Sequence, residues 1–188
     1  MKPVEQRLEH AGRTALSEDA PPVTEEQGTS RASTLLPQFE GQPRFRQTWP
    51  LKADDSAPPM TRIYLRTWLT VASWNGNVDQ ATRVASHLVK NAVRHGTPLQ
   101  PGNLVFLRVF GISDSNDLVI EVEDALPGFP GFEEFADQSG VVLGKPTRLW
   151  WVPHYHGRLF WDLTKNNDGR VVGKTVQAII PATWDGSE

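Results

Sequence analysis

Cysteine is absent from this sequence of 188 residues. Its absence excludes disulfides, thiolate metal sites and a cysteine nucleophile, and it fits a reducing compartment. Long apolar runs are also missing, since no stretch approaches the roughly 20 residues of a membrane-spanning helix. A secretion signal is not apparent either, because Pro3, Glu5 and Glu9 interrupt the N-terminal segment. We therefore expect a cytoplasmic protein without a membrane segment.

Charge of one sign and hydrophobic content are both modest. The formal net charge is -3, so no overall field favours nucleic acid or an anionic membrane. Hydrophobic residues make up 38% of the chain, which is low for a fully packed protein. Residues 1–40 are rich in Glu, Gln, Ser, Thr, Pro and Ala and predict a disordered tail, with a solvated leader favoured over a partner-binding segment. Residues 43–184 predict one folded domain.

The clearest pattern in the chain is an amphipathic helix that starts near Asp79 and stops at Gly96. His87, Asn91 and His95 are four residues apart, so they stack along one side of this helix. Its apolar stripe consists of Val84, Ala85, Leu88, Val89, Ala92 and Val93. A helix with a core stripe beside an ordered polar line is a plausible wall of a ligand site.

The other segments predict a fold of the α+β class. Strands are expected at 44–51, 104–110, 118–123 and 174–181, with an earlier partner strand possible at 170–172, and helices at 60–74 and 157–165. Pro50 places the first strand at an edge, because proline cannot donate to a ladder. Residues 125–156 show no sustained period. Grouped helices and antiparallel runs predict a two-layer sandwich with helices on one face of a mixed, mostly antiparallel sheet.

Four segments carry a resemblance to a known family: LVKNAVRHG, LVIEVEDALPGFP, HGRLFWDL and GKTVQAIIP. Together they resemble the ATP-binding domain of the GHKL superfamily, the histidine-kinase-like ATPase or Bergerat fold, over about residues 43 to 182. Within it, the chain looks most like the small stand-alone anti-sigma regulatory serine kinases. The resemblance implies ATP and Mg²⁺ as ligands.

The resemblance also assigns a role to individual positions. Asn91 would hold the Mg²⁺ that bridges the phosphates, as an amide oxygen can. Asp124 would accept a hydrogen bond from the adenine amino group, with Thr175 supporting that aspartate. Gly157 would begin a glycine-rich segment at a helix start that meets the phosphates, and Gly128 belongs to the turn after Asp124.

Two departures from the family pattern weaken the implied chemistry. His87 stands where these kinases resemble Glu-x-x-x-Asn, so the carboxylate base is replaced by an imidazole, which can still accept a proton near neutral pH. HGRLF stands where the family has a pattern like HGRGL, so one glycine of the phosphate segment is missing. The bulky Trp150 and Trp151 suggest a lid that fills the pocket or binds a partner.

Two functions follow as hypotheses. The first is a cytoplasmic regulator of the anti-sigma, partner-switching type that sequesters a sigma factor or an anti-sigma antagonist and retains a degenerate ATP site. The alternative is an active serine/threonine kinase that phosphorylates a small antagonist protein. The resemblance also implies a possible homodimer. Nucleic acid is not an expected partner, because Lys52 and Arg148 are not part of a basic patch in the sequence.

Simpler interpretations stay open for three of these residues. His87 is equally typical of a half-buried helix histidine, Asn91 could be a surface polar residue, and Asp124 could be a strand-end turn residue. Zinc binding by the helix histidines is disfavoured, because His87 and His95 are about 12 Å apart along the axis.

Overall fold

The computed structural model describes residues 35–95, 102–129 and 151–183, without the side chains of Trp151 and Pro153. The predictions for residues 1–34, Gly96 and Trp150, and for most of the irregular stretch 125–156, lie outside these ranges. Within the described ranges, no helix has both the length and the apolar character needed to cross a membrane.

The described elements form an α+β arrangement, as predicted. They are β1 (Phe45–Lys52), α1 (Ala57–Val71), α2 (Val78–His95), β2 (Leu104–Gly111), β3 (Leu118–Asp124), α3 (Trp151–His154), β4 (Arg158–Lys165) and β5 (Val171–Ile180). The five strands make one sheet in the order β1-β2-β3-β5-β4. Each of the four neighbouring pairs is antiparallel, so the described sheet is purely antiparallel rather than mixed.

Helix α2 forms as its periodicity predicts. The predicted stripe faces the core, and only Val93 at its end is half-buried. Helix α1 packs against α2 and buries a row spaced by four residues, namely Ala57, Thr61, Leu65 and Leu69. Two prolines in its first turn suit a helix start, where an N–H has no helical partner.

The alternation of side chains gives the sheet two different faces. One, here called the helical face, packs against α1 and α2; it includes Leu107, Val122, Val176 and Trp161 in a single buried cluster. The other, here called the second face, has a small cluster of Phe110, Val119 and Ile179. Phe39, within the predicted tail, packs edge-on against Phe110 on that face, with ring centroids 5.8 Å apart.

The helix predicted over 157–165 is wrong, because residues 158–165 form strand β4. The sequence there alternates: Leu159, Trp161 and Leu163 belong to the cluster on the helical face, whereas Phe160 packs on the second face. A period of two is typical of a strand, but a segment this short is ambiguous between helix and strand. The strand predicted at 170–172 is also not separate, since β5 begins at Val171 and pairs with β4.

Candidate functional site

A buried ion pair lies where strand β3 ends. Asp124 is the last residue of β3, and its cross-strand partner on β5 is Lys174. The Lys174 ammonium lies 2.6 Å from Asp124 Oδ1, and both side chains are less than a tenth exposed, at 6% and 7%. The ammonium also donates to the Leu126 carbonyl at 3.0 Å, and Asp124 Oδ1 accepts the Leu126 N–H at 2.9 Å. The aspartate therefore already has a fixed cationic partner.

The surroundings of the pair are aromatic and tightly packed. The Phe129 ring lies 5.9 Å from the Lys174 ammonium and meets Trp161 edge-on at 6.0 Å. Gly173, next to Lys174, is buried directly against the end of β3, since a Cβ there would lie 2.1 Å from the Asp124 carbonyl oxygen. Glycine is thus required for β5 to approach the end of β3.

Asn91 lies in the last part of α2 and is half-buried. Helix α2 and strand β3 start close together, because Trp74 Nε1 donates to the Asn116 carbonyl at 2.8 Å and the Asn75 and Asn116 side chains are hydrogen-bonded. Asn91 is 13 residues into α2, and Asp124 is six residues into β3; both spacings correspond to about 20 Å. Helix α2 packs on β3, so we expect Asn91 and Asp124 to lie towards the same end of the interface between the two elements.

His87 lies one turn before Asn91 and is half-buried. Its pKa is lowered from the ordinary value of 6.5, first by burial and then by the positive charges of Lys90, Arg62 and Arg83. The imidazole is therefore neutral at pH 7, a state that can accept a proton.

The predicted support of Asp124 by Thr175 is wrong. Thr175 pairs across the strands with Glu123 and lies on the second face, where its hydroxyl is 3.1 Å from that of Thr164. Neighbouring residues of a strand point to opposite sides, so Lys174 faces Asp124 and Thr175 cannot.

The structure gives the two predicted glycines different surroundings, and only those of Gly157 differ from the prediction. Gly157 precedes a strand and not a helix; its N–H donates to the Val152 carbonyl at 2.8 Å, and a Cβ would lie 2.9 Å from that oxygen. A tight turn against β5 therefore explains this glycine. Gly128 is in an irregular segment where a Cβ would meet nothing within 4 Å. Nucleotide contacts at either glycine stay a prediction.

Lys174 and Gly173 are the residues that sequence reasoning missed. The signal was present, because alternation along β5 places Lys174 on the same side as Val176, Ala178 and Ile180. A lysine facing a core requires a carboxylate partner, and Asp124 ends the hairpin strand that pairs with β5.

The described residues bear on the implied Mg²⁺–ATP site at two points. Adenine recognition would need the Asp124 carboxylate, one oxygen of which, Oδ1, Lys174 already binds. For the metal, the described ranges contain no cluster of three His, Asp or Glu residues, and Asn91 would contribute one amide oxygen.

No family model and no curated protein matches this chain. Among solved structures, the chain is similar to the mycobacterial sensor histidine kinase MprB, with 15% identity and a TM-score of 0.41. That alignment covers 72% of this chain and 97% of the other.

Proposed function

We propose that this protein is a cytoplasmic regulator of the anti-sigma, partner-switching type. It acts by sequestering a protein partner, a sigma factor or an anti-sigma antagonist, and its ATP site is degenerate. The observation that carries the proposal is the buried Asp124–Lys174 pair, in which the carboxylate assigned to adenine binds a lysine of its own chain.

Three further features support a degenerate site. The base position holds His87 in place of a carboxylate, and the glycine missing from HGRLF removes one close backbone approach. Thr175 points away from Asp124. The helices and the sheet do not need a nucleotide in order to form. A fold that retains them without the ligand contacts is therefore suited to protein binding.

Calorimetric titration of the full chain with ATP, with and without Mg²⁺, tests the proposal. We expect no saturable heat at millimolar ATP. Lys174→Met removes the cation but keeps most of the stem, so it should permit binding if the ion pair is the obstacle; circular dichroism would verify its folding. Saturable binding by the unchanged protein that Asn91→Ala abolishes would contradict a degenerate site.

The kinase alternative rests on the neutral imidazole of His87, which can accept a proton from an acceptor hydroxyl. It predicts transfer of the ATP γ-phosphate to a small antagonist protein. Incorporation above that of an Asn91→Ala control would establish the kinase, whereas equal incorporation would leave the sequestering regulator.

A further inference from the structure

Three cations and one histidine line one side of α2. Arg83, His87, Lys90 and Arg94 are spaced by four, three and four residues, so all four lie within a narrow arc of the helix surface. Arg83 and Arg94 are exposed, and His87 and Lys90 are half-buried. The row extends about 16 Å along the helix axis.

Helix α1 adds Arg62 to this row. The Arg62 guanidinium lies 3.5 Å from the Ser86 hydroxyl on α2, and that hydroxyl donates to the Pro58 carbonyl of α1 at 3.0 Å. These contacts hold the two helices together beside His87. The lowered pKa of His87 has Lys90, Arg62 and Arg83 among its causes, after burial, which agrees with their closeness. We call the four cations Arg62, Arg83, Lys90 and Arg94 the basic stripe; His87 lies among them.

The cations of the basic stripe differ from a neighbouring arginine in their partners. Arg66 on α1 forms an ion pair with Asp79. Within residues 35–95, 102–129 and 151–183, no carboxylate forms an ion pair with Arg62, Arg83, Lys90 or Arg94. Like charges on one surface repel each other, and an anionic partner would relieve that repulsion.

We propose that the basic stripe binds a short acidic segment, rich in Asp and Glu, of a partner protein. The proposal deepens the regulatory function by naming the chemistry of the partner, and it does not depend on nucleotide binding. The length of the stripe matches about five residues of extended chain. A long nucleic acid fits less well, because the net charge of -3 repels a polyanion beyond this local surface.

Fluorescence anisotropy with a labelled peptide of about six Glu and Asp residues tests the proposal. We expect binding that weakens with salt, and an Arg83→Glu/Lys90→Glu variant that binds about tenfold more weakly, since two attractions become two repulsions. The matched control is Lys165→Glu/Arg170→Glu, which reverses two exposed cations outside the stripe and should change the affinity less than about twofold.

Several results would overturn the proposal: no binding of the acidic peptide, equal binding of a Gln/Asn peptide of the same length, or equal losses in the two double variants. Tighter binding of a short DNA duplex would assign the stripe to nucleic acid. Full competition by inorganic phosphate or ATP would assign it to a phosphate group. The ATP titration described above fails or succeeds independently of these outcomes.

Discussion

Two consecutive residues of β3, Glu123 and Asp124, form ion pairs on opposite faces of the same sheet. On the helical face, the Asp124–Lys174 pair is 7% and 6% exposed, with its atoms 2.6 Å apart. On the second face, Arg108 and Glu123 are 35% and 17% exposed, at 2.5 Å. The distances are similar, so the difference between the pairs is their access to water.

Burial changes what each pair contributes. A buried ion pair loses hydration on both partners, so removing one partner leaves an uncompensated charge. A pair that is partly exposed is screened, and water replaces the lost partner at little cost. Neighbouring acidic residues of one strand can therefore differ in role: Asp124 makes a fixed internal contact, whereas Glu123 makes an adaptable contact near the surface.

Removing the buried cation should have the largest effect. Lys174→Met leaves the Asp124 carboxylate unpaired in a buried position, and we expect the free energy of unfolding to fall by about 3 to 5 kcal/mol. Urea denaturation measures it. The double variant Asp124→Asn/Lys174→Met removes both charges and should recover most of the loss. A loss below about 1 kcal/mol in the single variant would show that the pair behaves as a surface pair.

Closing the space beside the buried pair should have the next largest effect. Gly173→Ala places a Cβ 2.1 Å from the Asp124 carbonyl oxygen, and we expect a loss of about 2 to 3 kcal/mol, because backbone has to move. Gly128→Ala is the matched control, since its Cβ meets nothing within 4 Å. Thermal unfolding of both variants checks the difference, and equal stability would mean that β5 can shift freely away from β3.

Removing the partly exposed cation, Arg108, should cost less. Arg108→Gln breaks the contacts with Glu121 and Glu123, and we expect a loss of about 1 kcal/mol because water reaches these groups. Unfolding in low and high salt should show that the loss shrinks as salt rises. A loss equal to that of Lys174→Met would mean that access to water does not set what the two ion pairs contribute.

The smallest effect on stability is expected from the titration of His87 on α2. The pKa of His87 is lowered in the fold, so the unfolded chain binds its proton more readily. Stability should therefore be full above pH 6.5, the ordinary value, and decline as the pH falls from there through the lowered pKa. His87→Gln should flatten this decline in pH-dependent denaturation. If the stability rises on acidification, the pKa of His87 is raised on folding and not lowered.

Neutralising a neighbour sharpens the same prediction. Lys90→Gln should raise the pKa of His87 towards its ordinary value, because one repelling charge is removed, although burial would still lower it. An NMR titration of the His87 imidazole in both proteins measures this shift directly.

Much of the fold could be predicted from local patterns. The observed bounds of α2 and of the hairpin strands β2 and β3 agree with the predicted bounds to within a residue or two. A helical or alternating period of apolar residues is visible within each of these segments. Strand β4 was predicted as a helix, because its alternating segment is short and has glycines nearby. Ile63 on α1 is apolar and yet 57% exposed, which its residue type alone does not predict.

The candidate site was predictable only in part. Asn91 and Asp124 came from the resemblance; the structure places Asn91 on α2 and Asp124 at the end of β3, on which α2 packs. The orientation of Thr175 could not follow from the motif alone, because a motif match does not fix on which side of the strand each residue points.

The sequence by itself determined which segments form helices and strands over most of the described domain, since those periods are local. Only the tertiary structure decided that Asp124 meets Lys174, 50 residues further along the chain. Strand register is set by how distant segments pack together, and shifting it by one residue would exchange Lys174 for Thr175 beside the aspartate.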